Sequence, residues 1–178
     1  MIKIRIAREG RVDCRAILRT KLSSAQVWGQ LRDFHTFARQ EFFHAKVEIE
    51  GGTPRPGAKL DLSHRFFLFR VHRVGRICRW EEGEGFAFSD LSKKSLFAGF
   101  PHIFSYRLTP VLPSGCDIEI RVAGRWTTRF LPRWIVWLWL RWIMQFAVQQ
   151  VRNNLLLYQV WLARRAPRVY GFGRYTLR

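Results

Sequence analysis

Two side chains in this sequence have the chemistry to act on a carbonyl, and both fall in runs that alternate between apolar and polar residues. His64 closes the run Ala58 to His64, and Tyr106 lies in the run His102 to Thr109. Alternation puts each on the same strand face as its apolar neighbours, Leu60 and Leu62 for the first and Phe104 and Leu108 for the second. A polar group on an inward face needs a partner. A histidine and a tyrosine converging on a ligand carbonyl could donate to it or move a proton as general acid and base. Arg141 and Gln145 could reach the same space from a helix. The catalytic candidates are therefore Tyr106, His64 and Arg141, set against the plainer reading of internal hydrogen bonds or an outward histidine, which carries more weight.

Other catalytic patterns do not occur. There is no Gly-rich phosphate loop, no Ser-His-Asp order and no pair of carboxylates. His35 and His44 stand nine residues apart without a third ligand. Cys14, Cys78 and Cys116 are odd in number and widely spaced, so no metal site and no cofactor is expected, and the thiols read as small buried residues in a reducing compartment. Asp90 is the only acid near its strand, and Glu81-Glu82-Gly83-Glu84 reads as a solvated turn. The balance leans away from an enzyme.

The elements that would position these side chains follow from periodicity and punctuation. Val12 to Thr20 reads as a strand, with Ser23 or Ser24 capping a helix that carries Ala25, Val27, Trp28 and Leu31. A second short helical stretch holds Phe34, Phe37, Ala38 and Phe42. After the turn Gly51 to Gly57, strands are predicted over Ala58 to His64, Phe66 to Trp80 with a bend at Gly75, Phe86 to Leu91, His102 to Thr109 and Cys116 to Gly124. Their alternation proposes an inward set for ligand or core: Leu60, Leu62, His64, Phe67, Phe69, Val71, Cys78, Trp80, Phe86, Phe88, Phe104, Tyr106, Leu108, Ile118, Ile120 and Val122.

From Pro132 no further Pro or Gly occurs until Pro167, which allows a helix of more than thirty residues. On a 100° wheel Trp137, Leu140, Met144, Ala147, Val148, Val151, Leu155, Tyr158 and Leu162 form one stripe, and Trp137, Met144 and Val148 join the ligand-binding candidates. The opposite side carries Trp134, Ile135, Leu138, Trp139, Trp142 and Phe146 early and Gln149, Arg152 and Asn153 late. Arg133 and Arg141 interrupt the apolar run and Gln145, Gln149 and Gln150 close it, leaving about fifteen residues where a membrane span needs about 20. Trp134, Trp139, Trp142 and Phe146 with basic neighbours suit an anionic membrane surface; cover by other segments or by a second subunit in a homodimer is the alternative.

The chain has 178 residues, 48% of them hydrophobic, including 15 Phe and 8 Trp, enough for one aromatic-rich core. Lys and Arg number 31 against 13 Asp and Glu, a net charge of +18 that favours polyanionic partners, although a bias toward Arg codons spreads charge in the same way. The start of the sequence lacks a secretory pattern, so cytoplasmic residence, with peripheral membrane contact, is expected. The expected organisation is an N-terminal extension over 1–11, one domain over 12–165 and a basic tail over 166–178.

Leu22-Ser23-Ser24-Ala25-Gln26-Val27-Trp28-Gly29-Gln30-Leu31-Arg32-Asp33-Phe34 resembles the opening signature of the START-like (SRPBCC) superfamily. Gly57-Ala58-Lys59-Leu60 is similar to its third-strand opening, Tyr106-Arg107-Leu108-Thr109-Pro110 with Ser114-Gly115-Cys116 to its sixth strand and hairpin, and Asn153-Asn154-Leu155 to a step in its last helix. The resemblance spans about residues 12 to 165. It implies an α+β helix-grip fold, a curved antiparallel sheet of about seven strands with two short helices and one long C-terminal helix. It also implies a cavity between sheet and helix for a hydrophobic small molecule or lipid. One branch of the superfamily is cyclases, for which Tyr106 and His64 would serve an aldol-type cyclisation or dehydration; another is linked to ribosomal function, so a basic RNA-associated role ranks third.

Overall fold

The computed structural model describes residues 2–34, 44–66, 69–90, 101–126 and 132–165. Among the described residues eight strands form a single antiparallel sheet: β1 (Ile2–Ile6), β2 (Arg11–Thr20), β3 (His44–Ile49), β4 (Lys59–Phe66), β5 (Phe69–Glu81), β6 (Gly85–Asp90), β7 (His102–Pro110) and β8 (Cys116–Arg125). Among the described residues two helices accompany it, α1 (Ser24–Leu31) and α2 (Arg133–Arg165). The order across the sheet is β1-β2-β8-β7-β6-β5-β4-β3. The strands from β3 to β8 therefore run as a meander, and β2 closes on the last of them in register from Arg11↔Arg125 to Thr20↔Cys116. Residues expected as an N-terminal extension supply the edge strand β1, whose Ile2, Ile4 and Ile6 pack on the core while Lys3 and Arg5 face solvent. The second short helical stretch and the tail over 166–178 lie outside the described residues, apart from Phe34, which is buried.

Local chemistry explains where α1 starts. Ser23 Oγ accepts from the Gln26 backbone N–H at 3.3 Å, and Gln26 Oε1 accepts from the Ser23 N–H at 2.9 Å, a reciprocal capping box. Val27, Trp28 and Leu31 then face inward on one side of the helix. The Trp28 indole donates to Glu82 Oε1 at 2.6 Å, so the acidic turn between β5 and β6 is exposed and still fastens α1 to the sheet. That hydrogen bond, before the charge of nearby Arg32, holds the Glu82 carboxyl below its ordinary 4.5.

The long helix buries Val136, Leu140, Met144, Ala147, Val151 and Leu155 and packs over β1 and β2. Trp137, expected on this stripe, is instead 37% exposed and Val136 takes the inward place. Beside it Trp139 leans edge-on against Trp126, with ring centroids 5.7 Å apart. Cys78 is a second correction, because β5 carries a bulge between Ile77 and Arg79. The extra residue resets the alternation so that Ile77 and Trp80 face inward and Cys78 faces solvent. Gly75, where the sequence predicts a bend, lies inside β5 at a close approach: a Cβ there would sit 2.2 Å from the Ser89 carbonyl oxygen and 2.9 Å from Leu62 Cδ1.

The outer face of the sheet collects cations that are scattered in sequence. Lys3, Arg15 and Arg121 lie side by side across β1, β2 and β8. The acids of that face are each engaged: Arg15 pairs with Glu119 at 2.6 Å, Arg19 with Asp117 at 2.7 Å and Arg121 with Asp13 at 2.8 Å.

Candidate functional site

The inner face of the sheet carries a continuous aromatic wall. Phe86, Phe88, Phe104 and Tyr106 come from the adjacent strands β6 and β7, in the registers Phe86↔Tyr106 and Phe88↔Phe104. Their rings touch, with centroids 5.4 Å apart for Phe86 and Tyr106, 5.4 Å for Phe88 and Phe104 and 5.2 Å for Phe104 and Tyr106. Phe34 and Trp28 close over them, Phe34 at 4.8 Å from Phe86 and Trp28 at 5.0 Å from Trp80. Offset and edge-on contacts of this kind add to the area each ring buries.

At one end of the wall the same face turns polar. Asp90 follows Phe86 and Phe88 on the inward side of β6 and its side chain is 1% exposed. Arg73 Nη1 from β5 meets its Oδ2 at 2.8 Å, and His102 Nδ1, opposite it on β7, stands 4.0 Å from the same oxygen. Such a cluster can orient an imidazole and present cationic N–H groups to a ligand oxygen. Tyr106, also inward on β7, lies four residues from His102. Sequence reasoning singled out Asp90 as an isolated acid but not its partners, which reach it from different strands.

Of the proposed lining residues, Leu60, Leu62, Phe86, Phe88, Phe104, Tyr106, Ile118, Ile120 and Met144 are buried on the inner side, with Trp80 and Val148 half-buried beside them. Phe67 and the side chains of His64 and Phe69 lie outside the described residues. Arg141 does not reach inward. It is exposed and lies over the Trp137 ring at 5.2 Å, and Gln145 is exposed as well. Among the described residues no three His, Cys, Asp or Glu side chains gather as a metal site.

A groove of about 430 Å³ opens between α1 and the last turns of α2, lined by Gln30, Asn154, Leu157, Tyr158 and Trp161. It is a shallow, open depression whose surface is shared between the Leu157, Tyr158 and Trp161 side chains and polar atoms that include the Gln30 and Asn154 amides. Tyr158 stacks on Trp161 at 5.7 Å and also packs against the core, so it joins groove to interior. No sequence signal marks this groove, because its two walls come from helices far apart in the chain.

No family model and no curated protein matches the chain. Solved structures do. Ara h 8.0201 superposes with a TM-score of 0.63 at 13% identity over 83% of this chain and 99% of its own. TTHA0849 from Thermus thermophilus gives 0.64 at 11% identity over 82% and 98%. The fold is the START-like helix grip. The di-domain ARO/CYC StfQ of the steffimycin biosynthetic pathway shares this helix grip at a TM-score of 0.64 and 12% identity, over 82% of this chain and 50% of StfQ. In helix-grip terms α2 is the gripping helix, packed over β1 and β2, while Trp28 of α1 and Phe34 cover the aromatic wall. No helix among the described residues is long and apolar enough to cross a membrane.

Proposed function

We propose that this protein binds a hydrophobic small molecule or lipid, taken up between sheet and α2 through the α1–α2 groove, and that it meets this ligand at an anionic membrane surface. The observation that carries the reading is the groove itself: Leu157, Tyr158 and Trp161 beside two amide side chains, with Tyr158 also packed against the core. An apolar molecule entering there replaces water on Leu157 and Trp161, both largely exposed without it. The test is native mass spectrometry of the purified chain with extraction of any apolar passenger, followed by titration with a fluorescent fatty-acid analogue. Trp161→Ala is expected to weaken binding about tenfold, or about 1.4 kcal/mol. A protein that purifies empty and does not bind the analogue refutes the reading.

A second reading, a cyclase- or dehydratase-type enzyme, draws on the Arg73, Asp90 and His102 cluster. With Asp90 4.0 Å away, the His102 ring would exchange a proton with the substrate while Arg73 stabilises the developing enolate oxygen. This reading predicts that His102→Ala stops turnover of a polyketide-like substrate in a protein that melts as the wild type does.

A further inference from the structure

We infer that α2 docks on an anionic bilayer through two separate apolar anchors that face the same way, lying along the surface and setting the groove against the lipid. The first anchor is Trp134, Leu138 and Trp142, spaced four residues apart, with Trp134 64% exposed. The second is Leu156, Leu157 and Val160, near the other end, with Leu157 69% exposed. Residues 138 and 156, like 142 and 160, are separated by 18 positions (156 − 138 = 160 − 142 = 18), five whole turns at 3.6 residues each. The anchors therefore point in one direction about 30 Å apart along the axis. A flat partner can reach both at once.

Charge selects which flat partner. The helix contains five arginines, Arg133, Arg141, Arg152, Arg164 and Arg165, and no acidic residue. Among the described residues none of the five forms an ion pair, whereas Asp13, Asp117 and Glu119 on the outer sheet face are all paired. A second copy of this face would set arginines against arginines across the interface. Nucleic acid would leave Leu138, Leu156 and Val160 without apolar cover. Anionic lipid satisfies both sets, headgroups meeting the guanidinium groups and acyl chains the Trp and Leu side chains. Leu157 belongs to the second anchor and to the groove wall alike, so docking brings the groove to the acyl boundary. Only this last step rests on the ligand-binding reading; the docking stands on the helix alone.

The experiment is flotation of the full chain with vesicles of phosphatidylcholine alone and of equimolar phosphatidylcholine and phosphatidylglycerol. The wild type is expected to float with the anionic vesicles and to lose partitioning as salt rises. Trp134→Ala/Trp142→Ala and Leu156→Ala/Val160→Ala are each expected to weaken partitioning about tenfold or more. Arg141→Gln/Arg152→Gln should weaken it about fivefold per charge, and Val74→Ser, on the outer sheet face, should leave it unchanged. These sites are exposed, so an unchanged melting temperature confirms folding. Wild-type flotation by the Leu156/Val160 variant overturns the two-anchor geometry. A dimer in light scattering that both anchor variants dissolve, without vesicle binding, overturns the membrane as partner, as does RNA binding with no flotation. Loss of fatty-acid uptake from solution with flotation intact counts against the groove reading and leaves the docking in place.

Discussion

Asp90→Asn isolates the energetics of the buried polar cluster. Asp90 and Arg73 are 2.8 Å apart, with side chains 1% and 13% exposed. At an effective dielectric constant near 20 their attraction is about 6 kcal/mol, most of it offset by the cost of taking both charges out of water. The substitution removes the acid and leaves the Arg73 guanidinium facing an amide in a poorly solvated place. Breaking a buried pair in this way costs about 3–5 kcal/mol. The lower end applies here, because asparagine keeps an acceptor for the Arg73 N–H and Arg73 retains some solvent. The expected loss is about 3 kcal/mol in urea unfolding, and a fall in Tm of about 6–12 °C for a chain of this length. Arg73→Met alone should cost a similar amount, and Asp90→Leu/Arg73→Met should recover most of the loss, with a coupling of at least about 2 kcal/mol. A loss under about 1 kcal/mol for Asp90→Asn, with additive single substitutions, would refute the argument and show that water solvates the pair.

Gly75→Ala should destabilise by about 1–3 kcal/mol, because its Cβ meets a backbone oxygen that cannot swing away, and chemical denaturation of the variant checks this. Burial, with Asp13 adding to it, pushes the Cys14 thiol up to about 12, and Cys116 is buried while Cys78 is exposed. One of the three thiols should therefore react quickly with a disulfide reagent in the native protein and all three after unfolding; a fast thiol that survives Cys78→Ser would contradict the bulge in β5. The folded Glu82 carboxyl titrates below its ordinary 4.5, so its contribution to stability is complete above about that pH and is lost as pH falls through the lower folded value. Urea midpoints followed through the acid range should accordingly depend less on pH in Glu82→Gln than in the wild type.

Much of the fold was legible before any coordinates. The strand over Ala58 to His64 overlaps β4 and those over His102 to Thr109 and Cys116 to Gly124 fall within β7 and β8, because alternation has a period of two and one of their faces meets the core. Ser23 announced α1, and the Pro-free run after Pro132 announced α2. Legibility failed at Cys78, where a single inserted residue reverses the phase of a strand, and at Trp137, where Val136 takes the inward place instead. Both depend on how an element pairs or packs with its neighbours, which alternation and the helical wheel do not contain.

The candidate sites divide along the same line. Short windows of sequence already encode that one face of the strands is aromatic and that a long helix without acids follows them, since both are properties of residues near one another in the chain. Only the tertiary structure decided that Arg73 and His102 flank Asp90, that Gln30 faces Trp161, and that Lys3, Arg15 and Arg121 line up across three strands. These juxtapositions depend on strand order and helix placement, which the whole core fixes and no short window of sequence encodes.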